Sequence, residues 1–112
     1  MSVGPAYDLF AAPGWTLPSL EDALAEVALS LAARAGGAGV TAADVRLRAA
    51  HLGMLPPNPG TQRAWSFLAP LFRRLVAAGE LVPTGRYRRS PIPKSHGNRH
   101  QVYVLPEYAT HA

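Results

Sequence analysis

The spacing of apolar residues changes once along this 112-residue chain, and that change constrains the fold more than any other feature. Over residues 61–81 (TQRAWSFLAPLFRRLVAAGEL) apolar residues recur at the three- and four-residue spacing of a helix with one buried face. Over residues 81–105 they alternate with a period of two, which is typical of strands. Gly79 lies between the two patterns, where a helix commonly ends. The sequence therefore predicts a helix that runs directly into a β-hairpin.

Two earlier helices are predicted, each opened by a capping residue and closed by glycine. Ser19, with an acidic residue three positions later, opens the first helix, which extends to residue 35. Thr41, followed by Asp44, opens the second, over residues 42–52. Val40 lies between them and leaves room for a very short strand at most.

The connector at residues 54–60 (MLPPNPG) cannot be helical, because its three prolines lack amide donors and restrict the residues before them. Thr61 then predicts an N-cap for the third helix. Pro70 lies inside that stretch, so either the helix bends or residues 61–69 and 70–78 form separate helices. The unbroken apolar stripe favours one kinked helix over residues 61–78.

The hairpin is predicted from two alternating segments on either side of a turn-rich tip at residues 90–98. Gly85 marks a bulge in the first strand, and Pro83 is typical of an edge strand. Residues 99–105 form the returning strand. The chain is then one mainly helical α+β domain at residues 19–105, between an apolar N-terminal arm (1–18) and a C-terminal tail (106–112).

Charge divides the chain into two unequal parts. Residues 1–60 carry three basic and five acidic side chains, a net charge of −2, whereas residues 61–112 carry eight basic and two acidic, a net charge of +6. Ten of the eleven basic residues are arginine, which suits forked contacts with phosphate or guanine. High-GC coding also enriches arginine, but it does not explain why the arginines cluster. The asymmetry predicts a polyanionic partner.

No enzyme chemistry is predicted. The chain has no cysteine, which excludes disulfides, thiol nucleophiles and cysteine-ligated zinc. His96 and His100 have the spacing of a helical ligand pair but lie in a segment with proline and glycine. Ser66 and Ser95 lack a base and an orienting acid at readable positions. The glycines near residue 37 lack the lysine of a phosphate-binding loop. We expect no cofactor and no metal.

No apolar run approaches the length of about 18 residues that a membrane span needs. The first ten residues lack the positive and apolar regions of a signal peptide. We therefore expect a cytoplasmic protein with no membrane partner.

The predicted order of helix, short strand, helix, loop, helix and basic hairpin resembles the winged helix-turn-helix family of DNA-binding domains. The resemblance spans residues 19–105 and is carried by the run LFRRLVAAGELV, which enters the hairpin. It implies that helix 61–78 lies in the major groove of double-stranded DNA and that the wing, residues 82–105, contacts the backbone. The chain would then be a small transcriptional regulator or a phage or mobile-element DNA-binding factor.

The same resemblance implies the DNA-contacting residues, in the helix and in the wing. For the helix these are Thr61, Gln62, Arg63, Ser66 and Arg73. For the wing they are Arg86, Arg88, Arg89, Lys94 and Arg99. Arginine and glutamine side chains suit base edges, and five cations within fourteen positions suit phosphate. Alternatively, these side chains are a solvated helix face and a hairpin edge whose charges block aggregation.

The alternative function is a winged-helix module that binds proteins and not DNA. The arm at residues 1–18 contains Phe10 and Trp15, which are too apolar for a solvated tail. We expect the arm and the first helix to form the contact of a homodimer, since two-fold dimers of such domains read two half-sites. The other possibility is that both aromatic residues fold back on their own core.

Overall fold

A computed structural model describes residues 16–92 and 98–109. Within those ranges three α-helices precede a two-stranded antiparallel sheet. The elements are α1 (Leu17–Ala35), α2 (Ala42–Leu52), α3 (Leu68–Ala77), β1 (Val82–Arg89) and β2 (Arg99–Val104). The predicted α+β class, mainly helical, is confirmed. Among these helices none combines the length and the apolar composition that crossing a membrane requires.

Helix α1 begins earlier than predicted. The Thr16 hydroxyl accepts a hydrogen bond from the Ser19 amide at 3.3 Å, so Thr16 is the N-cap and the assignment of Ser19 as the cap was wrong. Pro18 fits within the first turn, because its missing N–H would have no helical partner there. Residues 17 and 18 therefore belong to α1 and not to the arm, of which residues 1–15 lie outside the described ranges.

Helix α2 begins with the predicted capping box. The Asp44 amide donates to the Thr41 hydroxyl at 3.2 Å, and the Thr41 amide donates to the Asp44 carboxylate at 2.9 Å. Gly53 ends the helix in the left-handed conformation, at φ 75°. Val45 and Ala49 are buried, whereas Leu52, the last residue of the helix, is 47% exposed.

The third helix is split and not kinked, so the expected continuous helix over residues 61–78 was wrong. A single 3-10 turn spans Arg63–Trp65, and α3 begins only at Leu68. The first bond into α3 runs from the Leu71 amide to the Phe67 carbonyl at 3.1 Å, one residue after Pro70. Pro70 therefore lies in the first turn, where amides have no intrahelical acceptor. Its missing donor disturbs nothing there.

The core lies where the three helices meet the start of the hairpin. Large buried side chains of this core come from all three helices and from the residue before β1: Leu20, Leu24, Val45, Phe72, Leu75 and Leu81. Trp65 joins this cluster, and its indole N–H donates to the Pro59 carbonyl at 2.7 Å, which ties the proline-rich connector to the core. The 3-10 turn is thus held in place by both apolar packing and a buried hydrogen bond.

The hairpin joins the helices through a third, single-residue strand. Val40 and Tyr103 exchange both backbone hydrogen bonds, at 2.8 and 2.9 Å, so the predicted short strand is one bridge long. The register of β1 on β2 shifts between Pro83 and Tyr87, around Gly85 at φ 79°, which confirms the predicted bulge. After β2, residues Pro106–Tyr108 form a 3-10 turn.

Candidate nucleic-acid interface

One face of the hairpin carries two arginines directly opposite each other. Arg89 of β1 pairs with Arg99 of β2, and Tyr87 pairs with Gln101 two positions along the ladder. Side chains two positions apart in a strand point to the same side of a sheet. These four side chains therefore share one face, on which both arginines are exposed and Tyr87 is 60% exposed.

The Arg89–Arg99 pair is electrostatically unfavourable in the isolated chain. Residues paired across antiparallel strands have Cβ atoms only about 5 Å apart, and like charges at that separation destabilise a sheet. Neither arginine forms an ion pair or a side-chain hydrogen bond within the described residues. An acidic group supplied from outside the chain would remove this repulsion.

The same face continues onto α3. The ring of Tyr103 packs against Phe72 with 4.7 Å between centroids, which places the base of β2 on this helix. Burial raises the pKa of the Tyr103 phenol, the nearby Tyr87 phenol adds to the rise, and Arg73 opposes it. Arg73 follows Phe72 in α3, so it lies where this helix meets the hairpin. Within the described residues it forms neither a hydrogen bond nor an ion pair.

Arg88 points to the other side of β1 and contacts its own chain. Its guanidinium donates to the Asp44 carboxylate at 2.9 Å and to the Ala38 carbonyl at 2.6 Å. The Asp44 oxygen is the one that also caps α2. Arg86 donates to the Gly37 carbonyl at 2.8 Å. Both arginines therefore attach β1 to the connection between α1 and α2.

The turn before α3 holds four of the five helix residues expected to contact DNA, and all four are exposed: Thr61, Gln62, Arg63 and Ser66. The Thr61 hydroxyl accepts from the Ala64 amide at 3.2 Å and donates to the Asn58 carbonyl at 3.0 Å, so it organises the turn. The Gln62 side chain accepts from Arg46. Arg63 and Ser66 make no side-chain hydrogen bond within the described residues. These two remain available to a partner.

Two expected features lie outside the described ranges. Lys94, assigned to the wing, is in the segment 93–97. His96, considered with His100 as a ligand pair, is in the same segment.

The sequence analysis missed Arg46 and Tyr87. The Arg46 guanidinium lies 5.4 Å from the centroid of the Trp65 ring and donates to Gln62, so a residue of α2 orients the turn before α3. No sequence pattern indicated that contact across sixteen positions. Tyr87 could have been found, since strand alternation places it on the face of Arg89.

Comparison of the chain with protein-family models, with curated proteins and with solved structures gave no match.

Proposed function

We propose that the chain binds double-stranded DNA as a winged helix-turn-helix protein, in the role of a small transcriptional regulator or a mobile-element DNA-binding factor. The order of three helices, one bridging residue and a hairpin is compatible with that family. In this proposal the wing is formed by β1 and β2, and the reading element is the turn at residues 61–67 together with the first turns of α3.

The Arg89–Arg99 pair is the observation that carries the proposal. A chain gains no stability from placing two arginines opposite each other on an exposed hairpin without an acid nearby. Phosphate groups, which occur once per nucleotide along a nucleic-acid strand, give both guanidinium groups strong acceptors at once. Phosphate contact therefore accounts for the arrangement better than solubility does.

Four arginines are the proposed contacts among the described residues: Arg63, Arg73, Arg89 and Arg99. Arg63 lies in the turn before α3, where its guanidinium would donate two hydrogen bonds to a guanine edge. Arg73 lies on α3 next to Phe72, whose ring packs against Tyr103 of β2. Arg86 and Arg88 have a different role, because their bonds to the connection between α1 and α2 hold the wing in position. They were assigned to direct contact in the sequence analysis.

The test is the salt dependence of affinity for a duplex of random sequence. If the four arginines each neutralise one phosphate, the logarithm of affinity should fall against the logarithm of salt concentration with a slope of about −3.5. Fluorescence anisotropy of a labelled duplex measures this between low and moderate salt. A slope shallower than about −1 would reject duplex DNA as the partner.

A charge-matched pair of double variants controls for net charge. Arg89→Ala with Arg99→Ala removes the cross-strand pair and should reduce the steepness of the slope by about two. Arg34→Ala with Arg48→Ala removes the same charge from α1 and α2, two helices that carry none of the proposed contacts, and should leave the slope near that of the parent. Equal losses in both double variants would mean that total charge, and not this surface, determines binding.

A second candidate function is a protein-interaction module, and the exposed leucines of α2 favour it. Leu47 and Leu52 are 44% and 47% exposed, and Leu31 of α1 lines the two clefts that they border. An apolar strip formed by Leu31, Leu47 and Leu52 is typical of a surface that another protein covers. Replacing Leu47 by Ser should leave DNA affinity unchanged if the strip serves a protein partner. Loss of DNA affinity with an intact fold would place the strip in the DNA interface.

A further inference from the structure

A cavity of about 310 Å³ lies between the first turns of α2, the residues that lead into α3 and the end of the hairpin. Its apolar wall includes Ala42, Leu68 and Ala69, and its polar wall includes Arg46, Ser90 and His100. Cavities that hold small molecules start at about this size, and most combine an apolar lining with a few polar groups. A molecule of one or two fused rings matches the volume.

Arg46 brings a positive charge to this cavity in a fixed orientation. One nitrogen of its guanidinium donates to the Gln62 side chain, and its central carbon lies 5.4 Å from the centroid of the Trp65 ring. Within the described residues no carboxylate pairs with it. A guanidinium already held by a ring and an amide loses little freedom when it binds an anion. The unpaired charge therefore favours a carboxylate at this wall.

Ser90 provides a second, independent indication of a ligand. Ser90 is only 8% exposed, and its hydroxyl oxygen accepts a hydrogen bond from the Ile92 amide at 3.1 Å. The hydroxyl also has a proton to donate, for which the described residues offer no acceptor. Buried polar groups are nearly always satisfied, so a donor left without an acceptor at a cavity wall points to a partner from outside.

We propose that this cavity binds a small aromatic carboxylate. The ring lies against Ala42, Leu68 and Ala69, the carboxylate accepts hydrogen bonds from Arg46, and the Ser90 hydroxyl is a donor to a further oxygen of the ligand. An uncharged aromatic molecule would leave Arg46 unpaired. The inference does not rest on the proposed DNA-binding function.

The test is an NMR titration of the full chain with naphthalene-2-carboxylate and, separately, with the neutral naphthalene-2-carboxamide. The acid should bind with a Kd of about 1 mM or tighter, given its thirteen non-hydrogen atoms. The amide should bind at least about tenfold more weakly, since a hydrogen bond to a charged group contributes more than one factor of ten. The shifted amides should belong to residues 42–46, 65–69 and 90–100.

Two variants and a control localise the ligand. Arg46→Gln should weaken binding of the acid at least about tenfold. Arg48→Gln, two positions along α2 and outside the cavity, should leave it unchanged. Ala69→Leu fills the cavity from an exposed position of α3 and should abolish binding even if Arg46→Gln proves unstable. Equal affinity for acid and amide, parental affinity in Ala69→Leu, or shifts elsewhere would each overturn the proposal.

Discussion

Adjacent arginines of β1 have opposite surroundings, and strand alternation is the reason. Arg88 faces the connection between α1 and α2, where it bonds to Asp44 and to two backbone carbonyls. Arg89 faces solvent opposite Arg99. Of these two neighbouring arginines, Arg88 therefore supports the fold, and Arg89 is the one proposed to contact a partner.

Replacing these two arginines singly should give different results. Arg89→Ala should weaken binding to all duplex sequences alike and make the salt slope shallower by about one, because one phosphate contact is lost. Its unfolding free energy should stay within about 0.5 kcal/mol of the parent. Arg88→Ala should lower that free energy by about 1–2 kcal/mol, a value reduced by the partial exposure of its ion pair with Asp44. Urea denaturation and anisotropy titrations measure both quantities.

The assignment of roles to Arg88 and Arg89 fails if both variants change the salt slope equally while both keep parental stability. Negligible change in both would instead assign the two arginines to solubility.

Among the glycines in the described residues, Gly39 is the one at which an added Cβ would meet the hairpin strands. It has φ 77°, and a Cβ there would lie 2.5 Å from a Val102 methyl carbon and 2.6 Å from the Tyr103 carbonyl oxygen. Gly39→Ala should therefore lower the unfolding free energy by about 2 kcal/mol or more, through overpacking and a strained backbone. Thermal and urea denaturation measure the loss.

Gly37→Ala is the matched control for Gly39, because Gly37 has no positive φ and no atom within 4 Å of an added Cβ. Its stability should stay within about 1 kcal/mol of the parent. Equal stability of the two variants would show that the bridge between Val40 and Tyr103 does not confine Gly39.

At the scale of elements, the sequence predicted where helices and strands end or bend better than it predicted whether a helix is continuous. The capping box at Thr41, the helix end at Gly79, the bulge at Gly85 and the short strand at Val40 all follow from residue chemistry within a few positions. The third helix was predicted wrongly because an apolar stripe reports which side is buried and not whether the backbone is helical throughout. A 3-10 turn followed by α3 buries Trp65 and Leu68 just as well.

The inward bonds of Arg86 and Arg88 could not be predicted from sequence, for a different physical reason. Most of their acceptors are backbone carbonyls 49 or 50 positions away, and a carbonyl is the same in every residue. The clustering of charge therefore predicted a basic hairpin. It did not predict which arginines are free to contact a partner and which ones hold the hairpin in position.

The position of Pro70 leads to a test of the split helix. Since Pro70 precedes the first hydrogen-bond donor of α3, Pro70→Ala should change the unfolding free energy by less than about 1 kcal/mol. An interior proline would behave differently, because its replacement by alanine restores a bond and relieves a clash worth about 3 kcal/mol. A gain of that size in urea denaturation would restore the continuous, kinked helix.

Over the whole molecule, the acidic first half neutralises part of the basic second half. Asp44 pairs with Arg88 at 2.9 Å, and Asp22 of α1 pairs with Arg74 of α3 at 3.4 Å. These two ion pairs neutralise Arg88 and Arg74. Within the described residues, the arginines of the second half left without a carboxylate or carbonyl partner are the four proposed to contact DNA, so folding leaves the free positive charge on those side chains.

Dimer formation stays a prediction, and the structure defines how to test it. Because Thr16 caps α1, deletion of residues 2–15 removes the apolar arm while leaving that helix and its cap intact. A single domain of this size reads few base pairs, whereas two domains about one helical turn apart read two half-sites. We expect the full chain to be a dimer by light scattering, and the deletion variant to be a folded monomer with weaker DNA binding.

The exposed strip of α2 is the control surface for this test. If Leu47→Ser keeps the dimer while the deletion loses it, the contact belongs to the arm, and the strip is left for another protein. If Leu47→Ser alone gives monomers, the dimer is built on the groove between α1 and α2, where Leu31 and Leu47 line one cleft. A full chain that is already monomeric at high concentration rules out the dimer. A single domain would then bind DNA alone, and its few base contacts would give low sequence preference.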